Sequence, residues 1–148
     1  MPEIVFFIGF PGSGKSTYYD AHYSSHMKIS TDMFIESYAN SVNKTYKDVF
    51  QEHYKTAENN MNELFGYCIQ NGKDMVVDRT NLYFKSRNKF ISKLPSIYTV
   101  NYVYFDVPLD VLIERNNNRK QFGRDIPEKV FLQSVQLPEK YEVIKYER

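Results

Sequence analysis

Apolar positions along the chain come in two rhythms. Short runs rich in β-branched and aromatic residues, Ile4-Val5-Phe6-Phe7-Ile8, Met27 to Ser30, Asp74 to Asp78 and Tyr98 to Phe105, predict four strands. Between them, patterns of three- and four-residue spacing predict helices over about 15–25, 31–39, 84–94, 108–119 and 127–137. The longest helical pattern runs from about Tyr46 to Gln70, with Val49, Tyr54, Ala57, Met61, Leu64, Phe65, Cys68 and Ile69 on its repeating positions, and Asn71-Gly72 stops it. Thr31 stands where it can cap the second helix, and Pro108 and Pro127 stand where proline opens one. Asn40 to Thr45 and Lys120 to Ile126 read as polar connections. Strands alternating with helices predict an α/β fold: a three-layer sandwich with a parallel sheet covered on both faces and a crevice at the carboxyl ends of its strands.

Bulk properties narrow this further. The 148 residues predict one domain, 1–148, large enough to bury a core without staples and too short for a separate substrate domain. With 42% hydrophobic and 25% charged residues nothing suggests disorder. A formal net charge of +1 means that polyanion binding must come from a local patch, which argues against a module that only binds nucleic acid. The single cysteine, Cys68, can form no internal disulfide and reads as a small core residue. The first apolar run has no basic region before it and no cleavage site after it, so it reads as a strand rather than a signal peptide. No run approaches the roughly 20 apolar residues of a membrane span, and the expected location is cytoplasmic, without a membrane partner.

The candidate chemistry begins directly after the first strand, at Gly9-Phe10-Pro11-Gly12-Ser13-Gly14-Lys15-Ser16-Thr17. This fits G-x-x-x-x-G-K-[ST], the P-loop or Walker A pattern, with a strand before it and a helix after it. Glycines let backbone N–H groups turn inward around an anion, and the N-terminus of the next helix presents its dipole to the same charge. Gly12, Ser13, Gly14, Lys15, Ser16 and Thr17 are therefore the candidate ATP-binding residues. Lys15 reaches the β- and γ-phosphates and Ser16 can ligate Mg²⁺. A glycine-rich turn with an incidental lysine is the plainer alternative.

Three further strand ends should open onto this crevice. Asp32, just past the second strand, could accept the proton of an attacking hydroxyl, although an acid at a helix start also serves the helix dipole. Asp78 ends the third strand as a Walker B carboxylate does and could hold Mg²⁺. Arg79, Thr80, Asn81 and Arg87 follow it and could hold the acceptor, or simply cap and solvate the next helix. Arg115 and Arg119 lie four apart on one helix face and could close over the phosphates, with Lys120, Arg124 and Asp125 beyond them and Gly123 to let the segment move. Their plainer alternative is a solvated face near a helix C-terminus. Of 13 tyrosines, Tyr18, Tyr19, Tyr38 and Tyr83 lie near enough to stack on a nucleobase.

GFPGSGKST, the STD at Ser30 to Asp32, VVDRTNL at Val76 to Leu82, FDVPLDVLIERNNNR at Phe105 to Arg119 and IPEKV at Ile126 to Val130 together resemble the kinase domain of bacteriophage polynucleotide kinase and its P-loop kinase relatives. The resemblance runs through nearly the whole chain in order. It implies a compact P-loop kinase fold with a four-stranded parallel sheet and a helical lid at about 108–137. It also implies ATP and Mg²⁺, transfer of the γ-phosphate to the 5′-OH end of DNA or RNA, Lys15 and Ser16 on phosphates and metal, Asp32 as general base and Arg119 as the lid arginine.

Three departures stand out. Ile35 occupies the position where the family's prototype has an acceptor-side arginine. Arg79 aligns with the prototype's carboxylate, for which the adjacent Asp78 can substitute. The prototype's D-x-D-x-[TV] phosphatase motif is absent from this sequence. Two rivals remain: a kinase for a nucleoside, sugar or antibiotic, which the loss of an acceptor-side arginine would suit, and a nucleotide-binding switch without transferase activity.

Overall fold

The computed structural model describes residues 1–122 and 125–147. Five parallel strands, β1 (Glu3–Ile8), β2 (Met27–Ile29), β3 (Met75–Asp78), β4 (Thr99–Asp106) and β5 (Glu142–Lys145), form one sheet in the order β2-β3-β1-β4-β5. The helices are α1 (Lys15–His22), α2 (Asp32–Ser41), α3 (Tyr46–Gln70), α4 (Phe84–Ile91) and α5 (Leu109–Arg119). This is the α/β sandwich the strand-helix alternation predicts, with one strand more than the four expected.

The fifth strand escapes the sequence pattern because Glu-Val-Ile-Lys is short and mostly exposed, lying at the sheet edge against β4 with Phe105 opposite Ile144. β1, by contrast, sits mid-sheet between β3 and β4. Its uninterrupted apolar run is needed because both faces are covered. Ile4 and Phe6 pack with Met61, Phe65 and Cys68 of α3 and Phe90 of α4, while Val5 and Phe7 meet Phe105 and the tyrosines of α1. Each such side chain contributes on the order of 1.5–3 kcal/mol by leaving water. The register sets Phe7 beside Asp78 and Ile8 beside Tyr104, so the strand ends that carry chemistry finish level with one another.

Local signals are read with mixed success. Thr45 and Asp48 form a capping box at the start of α3. Gly72, at φ +59°, ends it, with the Lys73 N–H returning to the Cys68 carbonyl. Thr31 does not cap α2: its backbone is already helical, and the Asp32 N–H takes the Ser30 hydroxyl instead. Cys68 is buried, which pushes its thiol pKa up.

The helix expected over 127–137 is a correction. Only Glu128–Leu132 forms a 3₁₀ turn, and the chain leaves it through an extended Gln133 with no further helix. Pro138 disfavours helix at Leu137. The strap that follows makes bonds a helix would forbid: the Gln136 N–H donates to the Leu82 carbonyl (2.7 Å), and the Gln136 side chain accepts from the Phe84 N–H (2.8 Å).

Candidate active site

Beyond the tip of β1 the backbone turns through Gly12 and Gly14, at φ +84° and +96°, conformations that glycine adopts without strain. The turn and the start of α1 form one wall of a cavity of about 770 Å³ at the carboxyl end of the sheet. A Cβ on Gly12 would meet Nη2 of Arg119 at 3.5 Å, an ordinary contact, so it is the positive φ and not the space that calls for glycine there. Gly9 is constrained by space instead: a Cβ there would lie 2.7 Å from the Ser13 hydroxyl. The buried Ser13 Oγ makes no hydrogen bond among the described residues. Such a glycine-built cradle fits an oxyanion.

Lys15 Nζ donates to the Gly9 carbonyl at 2.8 Å. Burial lowers its pKa, and the nearby Asp78 and Asp32 carboxylates oppose that shift. Asp78 is held in the complementary way. Burial raises its pKa, while Lys15 and Lys28, the latter 4.0 Å from the carboxylate, pull it down. Asp32 also lines the cavity, and the Tyr46 hydroxyl donates to its Oδ1 at 2.5 Å.

From the opposite flank α5 delivers both arginines to the loop. Arg115 Nη1 donates to the Gly12 carbonyl at 2.5 Å, and the Arg119 guanidinium lies against the same glycine. Because β2 and β4 stand on either side of β1, Asp32 approaches the P-loop from one side and the arginines from the other. Gly123 and Arg124 of the expected lid lie outside the described residues.

Of the acceptor candidates after β3, Arg79 and Thr80 line the cavity, whereas Asn81 and Arg87 do not. Asn81 is 2% exposed at φ +50°, and its amide donates to the carbonyls of Phe7 (2.8 Å) and Val77 (3.0 Å), tying β1 to β3. Arg87 is 1% exposed. It donates to the carbonyls of Asn81 (3.2 Å) and Gln136 (2.6 Å) and lies over the Phe84 ring, pinning the strap to α4. Ile35 is fully buried between α2 and α3 with Val49 and Ala57. The position where the prototype's arginine would stand therefore faces packing here, not the cavity.

Among the tyrosines singled out for base stacking, only Tyr18 lines the cavity. Tyr19 donates to the His26 carbonyl, Tyr38 stacks on His53 at 4.1 Å, and Tyr83 donates to Gln133. Sequence reasoning missed the segment leaving β5. Ile144, Lys145, Tyr146 and Glu147 all line the cavity, and Tyr146 offers its ring to Arg115 at 5.3 Å. It also missed Tyr46 and Lys28, whose contacts arise only when separate elements meet.

Ser16 and Asp78, the expected metal residues, both line the cavity. No group of three or more His, Cys, Asp or Glu side chains able to hold a metal occurs among the described residues.

A family profile described as AAA domain matches residues 4–139. The chain belongs to that family. No curated protein matches it. Among solved structures this AAA-family chain is similar to a provisionally named kinase from Chloroflexus aurantiacus j-10-fl, with TM-score 0.73 and 17% identity over 97% of this chain and 86% of the other. It is also similar to a chain of the Pnkp1/Rnl/Hen1 RNA repair complex, with TM-score 0.63 and 19% identity over 88% of this chain and 42% of that one. A sugar kinase from Janibacter sp. HTCC2649 aligns with TM-score 0.62 and 16% identity over 99% and 85%. At these identities the shared property is the fold, a P-loop kinase fold. No helix among the described residues is long and apolar enough to cross a membrane.

Proposed function

We propose that the protein is an ATP- and Mg²⁺-dependent kinase that transfers the γ-phosphate to an alcohol, the 5′-hydroxyl end of a DNA or RNA strand. The observation that carries this reading is the two-sided cavity, with the Asp32 carboxylate on one flank of the P-loop and Arg115 and Arg119 on the other. Transfer to a hydroxyl needs a carboxylate facing the P-loop, and nucleotide binding alone does not. The fold it shares with a chain of an RNA repair complex is compatible with a polynucleotide acceptor.

The P-loop amides and Lys15 would hold the β- and γ-phosphates, with Ser16 and Asp78 as the residues to hold Mg²⁺, which when bound neutralises phosphate charge. Asp32 takes the proton of the attacking hydroxyl as its oxygen bonds to the γ-phosphorus and the bond to the ADP oxygen breaks. Arg119 and Arg115 stabilise the charge spread over the equatorial oxygens.

The deciding experiment is transfer of labelled γ-phosphate from ATP to a single-stranded 5′-OH oligonucleotide, beside a panel of nucleosides and sugars. The expected result is labelling of the oligonucleotide that Asp32→Asn abolishes. Transfer to a small alcohol alone would replace the acceptor class with the rival kinase. ATP binding without transfer to any acceptor would overturn the kinase reading.

A further inference from the structure

α3 carries one apolar stripe, Tyr46, Phe50, Tyr54, Ala57, Met61, Phe65 and Cys68, at repeating four- and three-residue spacings. Its C-terminal part is buried in the core, together with Val49. Its N-terminal part, Tyr46, Phe50 and Tyr54, continues on the same face and climbs one turn at a time, with Tyr46 and Tyr54 packed against the core and Phe50 left outside it. Its rings are tilted against one another, with centroids 5.7 Å apart for Tyr46 and Phe50 and 5.1 Å for Phe50 and Tyr54.

Both ends of this ladder bond to residues that line the cavity, Asp32 and Arg79, while the three rings themselves stand outside its lining. The Tyr46 hydroxyl donates to Asp32, and the Tyr54 hydroxyl accepts from Nη2 of Arg79 at 3.5 Å. Phe50, between them, belongs to none of the three core clusters and is 38% exposed. An apolar ring left half in water beside a candidate general base and a cavity-lining guanidinium has the chemistry of a landing surface for a flat group.

We propose that Tyr46, Phe50 and Tyr54 form the platform on which the base of the acceptor's terminal nucleotide rests, with Arg79 receiving the phosphate that follows it. The proposal rests on the polynucleotide reading of the acceptor. It commits to a nucleic-acid end because that occupant supplies together a hydroxyl for Asp32, a π-face for Phe50 and an anion for Arg79. A free sugar supplies no anion. Stacking on an aromatic ring tolerates every base, so the platform would confer affinity for an end without a sequence preference.

The test compares two oligonucleotides that both carry a 5′-hydroxyl, one with an ordinary terminal nucleotide and one whose terminal residue lacks its base. Each is titrated against the wild-type protein, Phe50→Ala and Phe50→Trp by fluorescence anisotropy, and each is then offered for phosphoryl transfer. Phe50 lies outside the core, and unchanged melting of both variants verifies folding. The expected result is that Phe50→Ala weakens binding of the ordinary end about tenfold. It should leave the abasic end unaffected, and Phe50→Trp should restore the difference. Equal affinities in wild type and Phe50→Ala, an equal loss for both ends, or no oligonucleotide binding by the wild type overturns the platform. The two readings separate cleanly. Transfer that is indifferent to the terminal base overturns the platform and leaves the kinase, whereas base-dependent binding without transfer leaves the platform and overturns the kinase.

Discussion

The proposed phosphate end of the cavity is lined by consecutive residues, Gly12 to Thr17, whereas the proposed acceptor end is assembled from the cavity-lining Asp32 on α2 and Arg79 after β3, with Tyr46, Phe50 and Tyr54 of α3 beside the lining. The first would grip with backbone whose shape two glycines permit, so its proposed role is written in one short string. The second grips with side chains that tertiary packing brings together, so no string contains it. A site of the first kind can stay the same across many acceptors, and one of the second kind can be rebuilt for a new acceptor without touching the loop.

Substitutions at the two ends should therefore fail differently. Asp32→Asn has the largest expected effect, a fall in kcat of about 10³-fold with ATP affinity retained, measured by γ-phosphate transfer and nucleotide titration. Loss of ATP affinity in this variant would merge the two ends. Arg119→Ala should lower kcat by about 10²-fold or more for every acceptor the enzyme uses, because it acts on the transferred group. An acceptor-dependent loss would move Arg119 to the other end.

Arg87→Met sharpens the boundary of the acceptor end. It leaves the Asn81 and Gln136 carbonyls without their donor and should cost about 3 kcal/mol, read as a drop in melting temperature of roughly 10 °C. The protein that remains folded should keep its acceptor KM. Asp78→Asn should weaken metal-dependent transfer about tenfold yet raise the melting temperature of the nucleotide-free protein at neutral pH. Burial raises the Asp78 pKa above its unfolded value, so the charged carboxylate opposes folding at pH values above the folded pKa, and this penalty fades as pH falls to the unfolded value near 3.9. The variant's advantage should therefore shrink in acid. Tyr46→Phe is the mildest, a several-fold loss of kcat from releasing one hydrogen bond to Asp32, with no change in ATP affinity.

Much of this layout is legible in the sequence. The strand ends at Ile8, Ile29 and Asp78, the P-loop and the Arg115/Arg119 pair follow from period and spacing because each depends on neighbours in the chain. Asn81 and Arg87 read as acceptor residues because a polar residue after a strand looks the same whether it faces a cavity or braces two strands. What separates the cases is a partner 74 positions away for Asn81 and 49 for Arg87. β5 was illegible for a related reason, since an exposed four-residue edge strand leaves no apolar run. Ile35 reads from sequence as a missing arginine and in three dimensions as a filled core position.

The strand order also fixes a sequence of events in time. β1 is made first and its neighbours begin only at Met75 and Thr99, so at about 5–20 residues per second its five apolar residues wait several seconds for partners. Until β3 arrives, the most water-averse stretch of the chain has no strand to pair with, and local helices such as α3 must form before it can be covered. Amides of Val5 and Phe7 should stay unprotected in ribosome-bound chains that end before Met75, making the future centre of the sheet the stretch most exposed to chaperones and to misassembly while the protein is young.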